Sequence, residues 1–414
     1  MRRWYLWLGL LLGTAAGATA VVLPPLHGEL SGRLVLRGFG DAPGITWRLS
    51  AKPGAGGDET MEAVTEAPGL NAAVRLHWRA ETQTWEWRIL HGELDLAQWW
   101  HALAVRAGLA DALPTDLNLT GLVTLQGQGA IGPAGITGAI TASTRELAMG
   151  SETQGWLVAA LRAKARLDFT PEGRIVLAGE LVAPSAEVAG VGLDDIAVNV
   201  AGEVGGELRV TRAEFGLFGG RVQVLPFALP RPGTETGLEA RLRDVALEQL
   251  APLLPAAVQS VQGRLHGTVT AAWSAEGGLR PGTGGLVITP EANASMRLAP
   301  APGFLTGHMQ ARITWLPAWL GMIARRLSVE NPAYDALSDI EMGRTALAVD
   351  QLEVRLNPDG PDGARSATVA VVARPATGGV VEKVSFTINV AGPLEQVLRL
   401  GSEGKVRVQM GTNE

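Results

Sequence analysis

The chain has 414 residues, a net charge of -6 and no cysteine. Its length exceeds what one compact core usually holds, so we expect several domains or an elongated, repeat-like body. The lack of cysteine excludes thiolate catalysis, cysteine metal sites and disulfides, and the basic residues, which are scattered singly, exclude nucleic acid as a partner.

Arg2 and Arg3 precede a long apolar run over residues 4–23. The run has roughly the 20 residues that cross a bilayer core as a helix, and the two arginines predict a cytoplasmic N-terminus. We therefore predict a transmembrane anchor over residues 1–23, with membrane contacts from Trp4, Leu8, Leu12 and Val22. A signal peptide cleaved after Ala20 is the alternative, since residues 18–20 form a small-x-small site.

From about Gly28 onward, apolar and polar residues alternate, which places every second side chain on one face of a sheet. Glycine and proline turn signals separate the alternating runs at hairpin-like spacing. The pattern predicts a mainly β fold of half-buried antiparallel strands. The clearest runs are residues 196–200, 208–211, 238–243, 352–357, 384–390 and 406–410.

Helical patterns are few and short, over residues 96–109, 247–254, 315–327 and 394–400. The first two belong to a repeated pattern, in which a strand is followed by a short helix and then by a strand marked by Gly121 or Gly263. Such self-similarity favours stacked units over one globular core. We divide the chain into the anchor 1–23, an N-terminal β-rich repeat region 24–190 and a C-terminal β-groove region 191–414.

The residues that usually carry chemistry form no recognisable site. The six histidines are isolated and lack metal-binding spacing, and the chain has neither a nucleophile elbow nor a phosphate loop. We therefore predict no catalytic residue, metal or cofactor. Trp78, Trp85 and Trp87 either line a groove or membrane interface, or pack in an ordinary core beneath the helix that carries Trp99.

Four segments resemble the AsmA-like superfamily, and within it the YdbH-type intermembrane phospholipid transport proteins. They are the strand FGGRVQVLPF at residues 218–227, the hairpin VQGRLHGTV at 261–269, the segment NPAYDAL at 331–337 and the stretch from Phe386 to Leu400. The resemblance implies an inner-membrane helix followed by an elongated, curved antiparallel β-sheet groove with a few short packing helices. It also implies that the groove carries phospholipid acyl chains across the periplasm of a Gram-negative-type bacterium.

A sheet with one apolar face must cover that face with a second sheet, helices or lipid tails. The few helical patterns leave a sandwich or a lipid-filled groove. For the groove, the resemblance implies an activity without catalysis, with phospholipid and the inner membrane as partners. The in-facing candidates for non-specific acyl contact are Ile196, Val198, Val200, Leu352, Val354, Leu356, Val384, Phe386, Ile388 and Val390.

Val406, Val408 and Met410 lie on the final strand, which would form the open edge of the sheet. The resemblance implies that a small outer-membrane lipoprotein adds strands to this edge, whereas a frayed terminal strand is the simpler alternative.

Two other functions stay open. A structural subunit of an envelope or secretion complex predicts a closed sheet without lipid, and a secreted β-repeat binding protein predicts a mature N-terminus at Val21.

Overall fold

The computed structural model describes most of the chain from Gly28 to Gly411. The predicted anchor, with Trp4, Leu8, Leu12 and Val22, lies outside the described residues, as do the predicted helices 315–327 and 394–400. No helix within the described ranges is long and apolar enough to span a bilayer. These ranges are 28–34, 44–53, 59–107, 116–133, 135–153, 155–188, 191–230, 233–250, 258–274, 278–289, 293–313, 329–357, 367–391 and 407–411.

The described chain is mainly β, as predicted, with three short helices. The helices are α1 (Leu96–Ala107), α2 (Leu247–Leu250) and α3 (Pro332–Glu341). The strands are β1 (Gly28–Leu34), β2 (Ile45–Pro53), β3 (Glu59–Ala67), β4 (Leu70–Arg79), β5 (Thr84–Asp95), β6 (Asn118–Thr120), β7 (Leu122–Gly132), β8 (Gly135–Ser151), β9 (Trp156–Phe169), β10 (Ile175–Val188), β11 (Val191–Glu203), β12 (Leu208–Leu217), β13 (Gly220–Val224), β14 (Phe227–Ala228), β15 (Glu235–Ala246), β16 (Val258–Gln262), β17 (Arg264–Ser274), β18 (Gly278–Ile288), β19 (Ser295–Leu298), β20 (Arg312–Ile313), β21 (Val329–Glu330), β22 (Leu347–Leu356), β23 (Ala367–Pro375), β24 (Val384–Ala391) and β25 (Arg407–Gly411).

Twenty-three of the described strands belong to one sheet, and β20 pairs with β21 separately. The chain divides into two compact units, Met1–Ala213 with Pro226–Leu229 and Glu214–Leu225 with Pro230–Glu414. In the first unit, β1 to β5 and β7 to β11 pair antiparallel in chain order, and β5 pairs with β7. In the second unit, β17 pairs antiparallel with both β15 and β18, and β18 pairs with β22. Strands β22 to β25 then pair antiparallel in chain order. The predicted meander of hairpins is confirmed.

The repeated strand–helix–strand pattern is present in both units. In the first, α1 follows β5, and the backbone N–H of Leu96 donates to the carbonyl of Gly121 at 2.9 Å. In the second, α2 follows β15, and the N–H of Leu247 donates to the carbonyl of Gly263 at 3.1 Å. The two glycines have φ angles of 141° and 146°, which favour residues without a Cβ atom. The glycine therefore marks the point where each strand returns to the sheet.

Helix α3 is a segment that the sequence patterns did not predict to be helical. Its N-cap is Asn331, whose side-chain oxygen accepts from the backbone N–H of Ala333, and Pro332 stands in the first turn. Asparagine followed by proline is a recognised helix start. The signal was therefore present in the sequence, although the short apolar pattern that follows it is weak.

A line of irregularities crosses β9, β10 and β11. Pro184 in β10 stands level with Ala160 in β9 and Asp195 in β11, and the two flanking residues have φ angles of 53° and 48°. Proline has no N–H for the ladder and is tolerated in sheets at bulges or edges. The pairing keeps the same register on both sides of Pro184, so the ladder is interrupted here without an inserted residue.

Candidate functional site

The first unit has an extended apolar face on β8 to β11 that is only half-buried. Across β8, β9, β10 and β11, Ala142 stands opposite Ala165, Ala165 opposite Gly179, and Gly179 opposite Val200. Neighbouring rows share this face because side chains two residues apart point the same way. We call the half-buried set the apolar floor; it comprises Ala142, Ala163, Ala165, Leu167, Leu177, Gly179, Leu181, Val198 and Val200.

The opposite face of the same strands is charged. Arg162, Lys164 and Arg166 alternate with the floor residues of β9 and are exposed. Lys164 stands opposite Glu180 on β10, and the Nε atom of Arg166 donates to Asp168 at 2.9 Å. This face is suited to water, so only the other face needs a cover.

Two buried clusters lie beside the apolar floor. The first contains Met61, Leu76, Trp85, Trp87, Ile89, Ile140 and Phe169, and Leu167 packs against it. The second contains Leu147, Leu161 and Ala183, with Leu181 and Ile196 packed against it. Val198 and Val200 belong to neither cluster. A Cβ atom built on Gly179 would meet only two backbone oxygens, both at 3.9 Å, so described side chains leave open space above this part of the floor.

The predicted lipid-contact residues fall into two groups that differ in burial. Ile196, Val198 and Val200 are half-buried in β11, where Val198 and Val200 form part of the apolar floor. Those of β22 and β24 lie in the second unit. There Leu352, Val384, Phe386 and Ile388 are 4%, 5%, 0% and 0% exposed, Val354 and Leu356 are half-buried, and the side chain of Val390 lies outside the description.

The buried group in the second unit is covered by protein. The rings of Phe304 and Phe386 meet edge to face, with centroids 5.9 Å apart. Phe386 belongs to the buried cluster of this unit, and the partly buried Phe304 packs against it. The loop that carries Phe304 is held by Glu341, whose carboxylate accepts from the N–H of Leu305 at 2.9 Å and from the hydroxyl of Thr306 at 2.8 Å. In this conformation the core of the second unit is sealed.

Trp85 and Trp87 pack in a buried core, as one of the two sequence interpretations predicts, but this core is not the one that contains Trp99. They are 4% and 3% exposed, and Trp87 lies against the backbone of Gly127, where an added Cβ would stand 3.1 Å from its Cζ3 atom. Their cluster is formed by the sheet. Trp99 belongs to a separate cluster and donates its indole N–H to the carbonyl of Pro68 at 2.9 Å.

A cleft of about 760 Å³ with a mixed polar and apolar lining lies around Asn118, Gly150 and Leu157. At its rim, Asp116 accepts from the hydroxyl of Ser151 and from the backbone of Thr153, both at 2.8 Å. The bond from the Thr153 backbone is the main reason that the pKa of Asp116 is lowered to about 2. The carboxylate is therefore charged and occupied as a structural acceptor. No group of three metal-ligating side chains occurs within the described residues.

Comparison with known proteins assigns the chain to a family. The profile of the YdbH-like family, described as intermembrane phospholipid transport protein YdbH, matches residues 22–282. The chain belongs to the YdbH-like family. Two of the four segments that carry the family resemblance, 218–227 and 261–269, lie within the matched residues. The other two, 331–337 and 386–400, lie outside them. No curated protein and no solved structure gave a significant match.

The YdbH-like match contains the entire apolar floor, most of which the sequence interpretation did not identify. The predicted lipid-contact residues lie on β11, β22 and β24, and they do not include the Ala163-Lys164-Ala165-Arg166-Leu167 run of β9. That run alternates as regularly as the others. Alanine is a weak hydrophobic signal, and strand propensity disfavours it, so a search for valine and isoleucine misses a floor made of small residues.

Proposed function

We propose that the protein is a membrane-anchored periplasmic bridge that shields phospholipid acyl chains for transport between the inner and outer membranes. The single observation that carries the proposal is the half-buried apolar floor, which lies within the part of the chain that matches a phospholipid transport family. Apolar surface left partly open to water is unfavourable. Acyl chains would cover it without needing specific polar contacts.

The wider arrangement of the proposal follows from the same function. The apolar run at residues 4–23, with Trp4, Leu8, Leu12 and Val22, would hold the body at the inner membrane, from which lipid enters a curved groove. At the other end, β25 would receive a strand from a small outer-membrane lipoprotein. Shielding is a binding function, so it calls for neither a catalytic residue nor a cofactor.

The floor offers a matched pair for a photocrosslinking test in cells. Leu177 is half-buried on the apolar face of β10, whereas its neighbour Ala178 is exposed on the opposite face. We expect a photoreactive side chain at Leu177 or Val200 to capture phospholipid, and one at Ala178 to capture little. Mass spectrometry of the adducts separates lipid from protein.

Capture of protein alone at Leu177 and Val200 would contradict lipid shielding and favour a structural subunit of an envelope complex. The same probe at Phe386 and Ile388 tests the second unit. Because both side chains have no exposed surface, lipid adducts there require the sealed core to open.

A further inference from the structure

Strand β1 forms an open edge of the sheet in the first unit. Within the described ranges it pairs only with β2, over residues 28–34. The side chains from Gly28 to Arg33 are exposed, and that of Leu34 is half-buried. The backbone groups that point away from β2 therefore have no described strand beside them, and an edge of this kind can accept another strand.

The sequence of β1 is self-complementary when the strand is reversed. It reads GELSGRL. When two β1 strands pair antiparallel with Ser31 at the centre, each Glu29 stands opposite an Arg33, and each Leu30 stands opposite a Gly32. Opposite charges that face each other across a strand pair are stabilising. Natural edge strands often carry charges that block pairing, whereas the charges of β1 attract a second β1.

One register alone uses the whole strand. A two-fold axis perpendicular to the sheet keeps each side chain on its own face, so the centre of the pairing must be a residue. A centre at Leu30 pairs only residues 28–32 and leaves out Arg33, and a centre at Gly32 pairs only residues 30–34 and leaves out Glu29. The centre at Ser31 pairs every residue of β1 and matches both charges.

The charged face of β1 leaves both charges accessible. The carboxylate of Glu29 lies 3.3 Å from the Nε atom of Arg48 on β2, and the two side chains are 64% and 70% exposed. Such an exposed pair contributes little, and the carboxylate has room to accept from a second guanidinium. Arg33 is exposed, and no ion pair joins it to another described residue.

The opposite face of β1 carries apolar surface that a second strand would cover. Leu30 is 43% exposed. It stands opposite Leu49 on β2, which packs against a buried cluster. Trp47 lies across Gly32, where an added Cβ atom would stand 2.8 Å from its Cζ2 atom. In the self-paired register, Leu30 of the second copy comes opposite Gly32 and therefore next to this ring.

The other open edge, β25, has no such complementarity. It reads RVQMG and contains no acidic residue, so no pairing of two β25 strands places opposite charges together. Self-recognition is therefore a property of the sequence of β1 and does not follow from exposure of an edge alone.

We propose that β1 pairs antiparallel with β1 of a second copy of this chain, about a two-fold axis at Ser31. The axis keeps the faces that carry Leu30 on the same side of the joined sheet. One seven-residue strand is a small interface, so the pairing suits copies that a shared membrane holds at high local concentration. This partner goes beyond lipid shielding and does not depend on it.

The lack of cysteine allows a disulfide test with the full-length protein in cell membranes. The two Ser31 residues would face each other with Cβ atoms about 5 Å apart, which a small shift brings within reach of a disulfide. The two Glu29 residues would lie roughly 13 Å apart along the strands, which is too far. After oxidation we expect a linked dimer from Ser31→Cys and little from Glu29→Cys, whereas Glu29→Cys and Arg33→Cys expressed together should link to each other.

Charge reversal tests the complementarity. In a Ser31→Cys background, Glu29→Arg and Arg33→Glu should each lower the dimer yield about fivefold, because like charges then face each other at both ends of the strand. Expression of the two reversed chains together should restore the yield. Glu66→Arg is the control, since Glu66 is exposed on the same face of β3, two strands from the edge, and its reversal should leave the yield unchanged.

All the substituted side chains are exposed, so thermal unfolding of every variant should match that of the wild type. Equal dimer yields from Ser31→Cys and Glu29→Cys would indicate random collision and overturn the proposal. It would also be overturned if Ser31→Cys gave no dimer, linked to a different protein, or gave a yield that neither charge reversal lowers. Phospholipid capture at Leu177 reports separately on lipid shielding, so either proposal can fail alone.

Discussion

Glu341 shows how one carboxylate fixes a loop in the second unit. It is 3% exposed and accepts four hydrogen bonds, from the backbone N–H groups of Gly303, Leu305 and Thr306 and from the hydroxyl of Thr306. Burial alone raises the pKa of Glu341, but these bonds, led by that from Leu305, outweigh it and hold the pKa below its usual value of 4.5. The charged form is therefore the one that closes the loop over Phe386.

Replacing Glu341 by alanine should lower the free energy of unfolding by about 2–4 kcal/mol, because several buried donors lose their acceptor at once. The pKa adds a second expectation. Since the pKa is depressed in the folded state, the contribution of Glu341 is complete above pH 4.5 and is lost as the pH falls through the folded value. Denaturant unfolding of wild type and variant between pH 3 and 7 measures both effects.

Asp339 provides the control for this experiment. It lies two residues earlier on α3 and forms an exposed ion pair with Arg344 at 3.1 Å. Exposed pairs contribute little, so Asp339→Ala should change the free energy of unfolding by less than about 1 kcal/mol. Equal losses in the two variants, or an unchanged acid sensitivity in Glu341→Ala, would show that the carboxylate does not hold the loop.

At the scale of elements, glycines in the same sheet serve opposite purposes. A Cβ atom on Gly127 in β7 would stand 2.7 Å from the carbonyl oxygen of Ala139 and 3.1 Å from Trp87. That distance to a backbone atom is too short, so the strand would have to shift. A Cβ atom added to Gly179 in β10 would have its nearest neighbours, two backbone oxygens, at 3.9 Å. Gly127 is needed for close packing of neighbouring strands, whereas Gly179 leaves space open above the sheet.

Gly127→Ala should therefore lower the free energy of unfolding by about 1–3 kcal/mol through overpacking. Gly179→Ala is the matched variant. It should be neutral or stabilise by roughly 0.5 kcal/mol, because alanine restricts the unfolded chain and meets no clash in the folded one. Thermal unfolding compares the two directly. Destabilisation by Gly179→Ala as large as that by Gly127→Ala would show that the floor is packed against protein.

The strands were predictable where apolar and polar residues alternate strongly, as in β24, because periodicity reports directly which face is buried. Helix α1 was predictable for the same reason. The contact that covers Phe386 with Phe304 was not predictable, since a contact between residues 82 positions apart leaves no local sequence pattern. Nor was the apolar floor, because alternation shows which residues face inward and does not show whether protein or another molecule covers them.

For the whole molecule, the two units divide the apolar surface differently. The second unit completely buries several large side chains in one cluster, including Leu265, Leu298, Leu347 and Phe386. The first unit keeps a floor of smaller, half-buried residues between two clusters. A sealed core stabilises a fold and has no surface left for cargo. We therefore propose that lipid shielding occurs first in the N-terminal unit, and in the second only where its loop opens.

The last prediction concerns β25, which pairs with β24 over Arg407–Gly411. Within the described chain no other strand pairs with β25, and we propose that its second edge receives a partner strand. Consecutive N–H groups in an antiparallel strand point to opposite sides. Of Val408 and Gln409, one therefore donates toward β24 and the other away from it.

Proline at each of these positions separates folding from partner binding, since proline removes the N–H group. We expect one of Val408→Pro and Gln409→Pro to prevent capture of a small outer-membrane lipoprotein while the thermal stability of the chain stays unchanged. The other should loosen β25 from β24. Crosslinking in cells, followed by mass spectrometry, measures the capture. If both variants retain the partner, strand addition at this edge is wrong, and a frayed terminal strand becomes the better description.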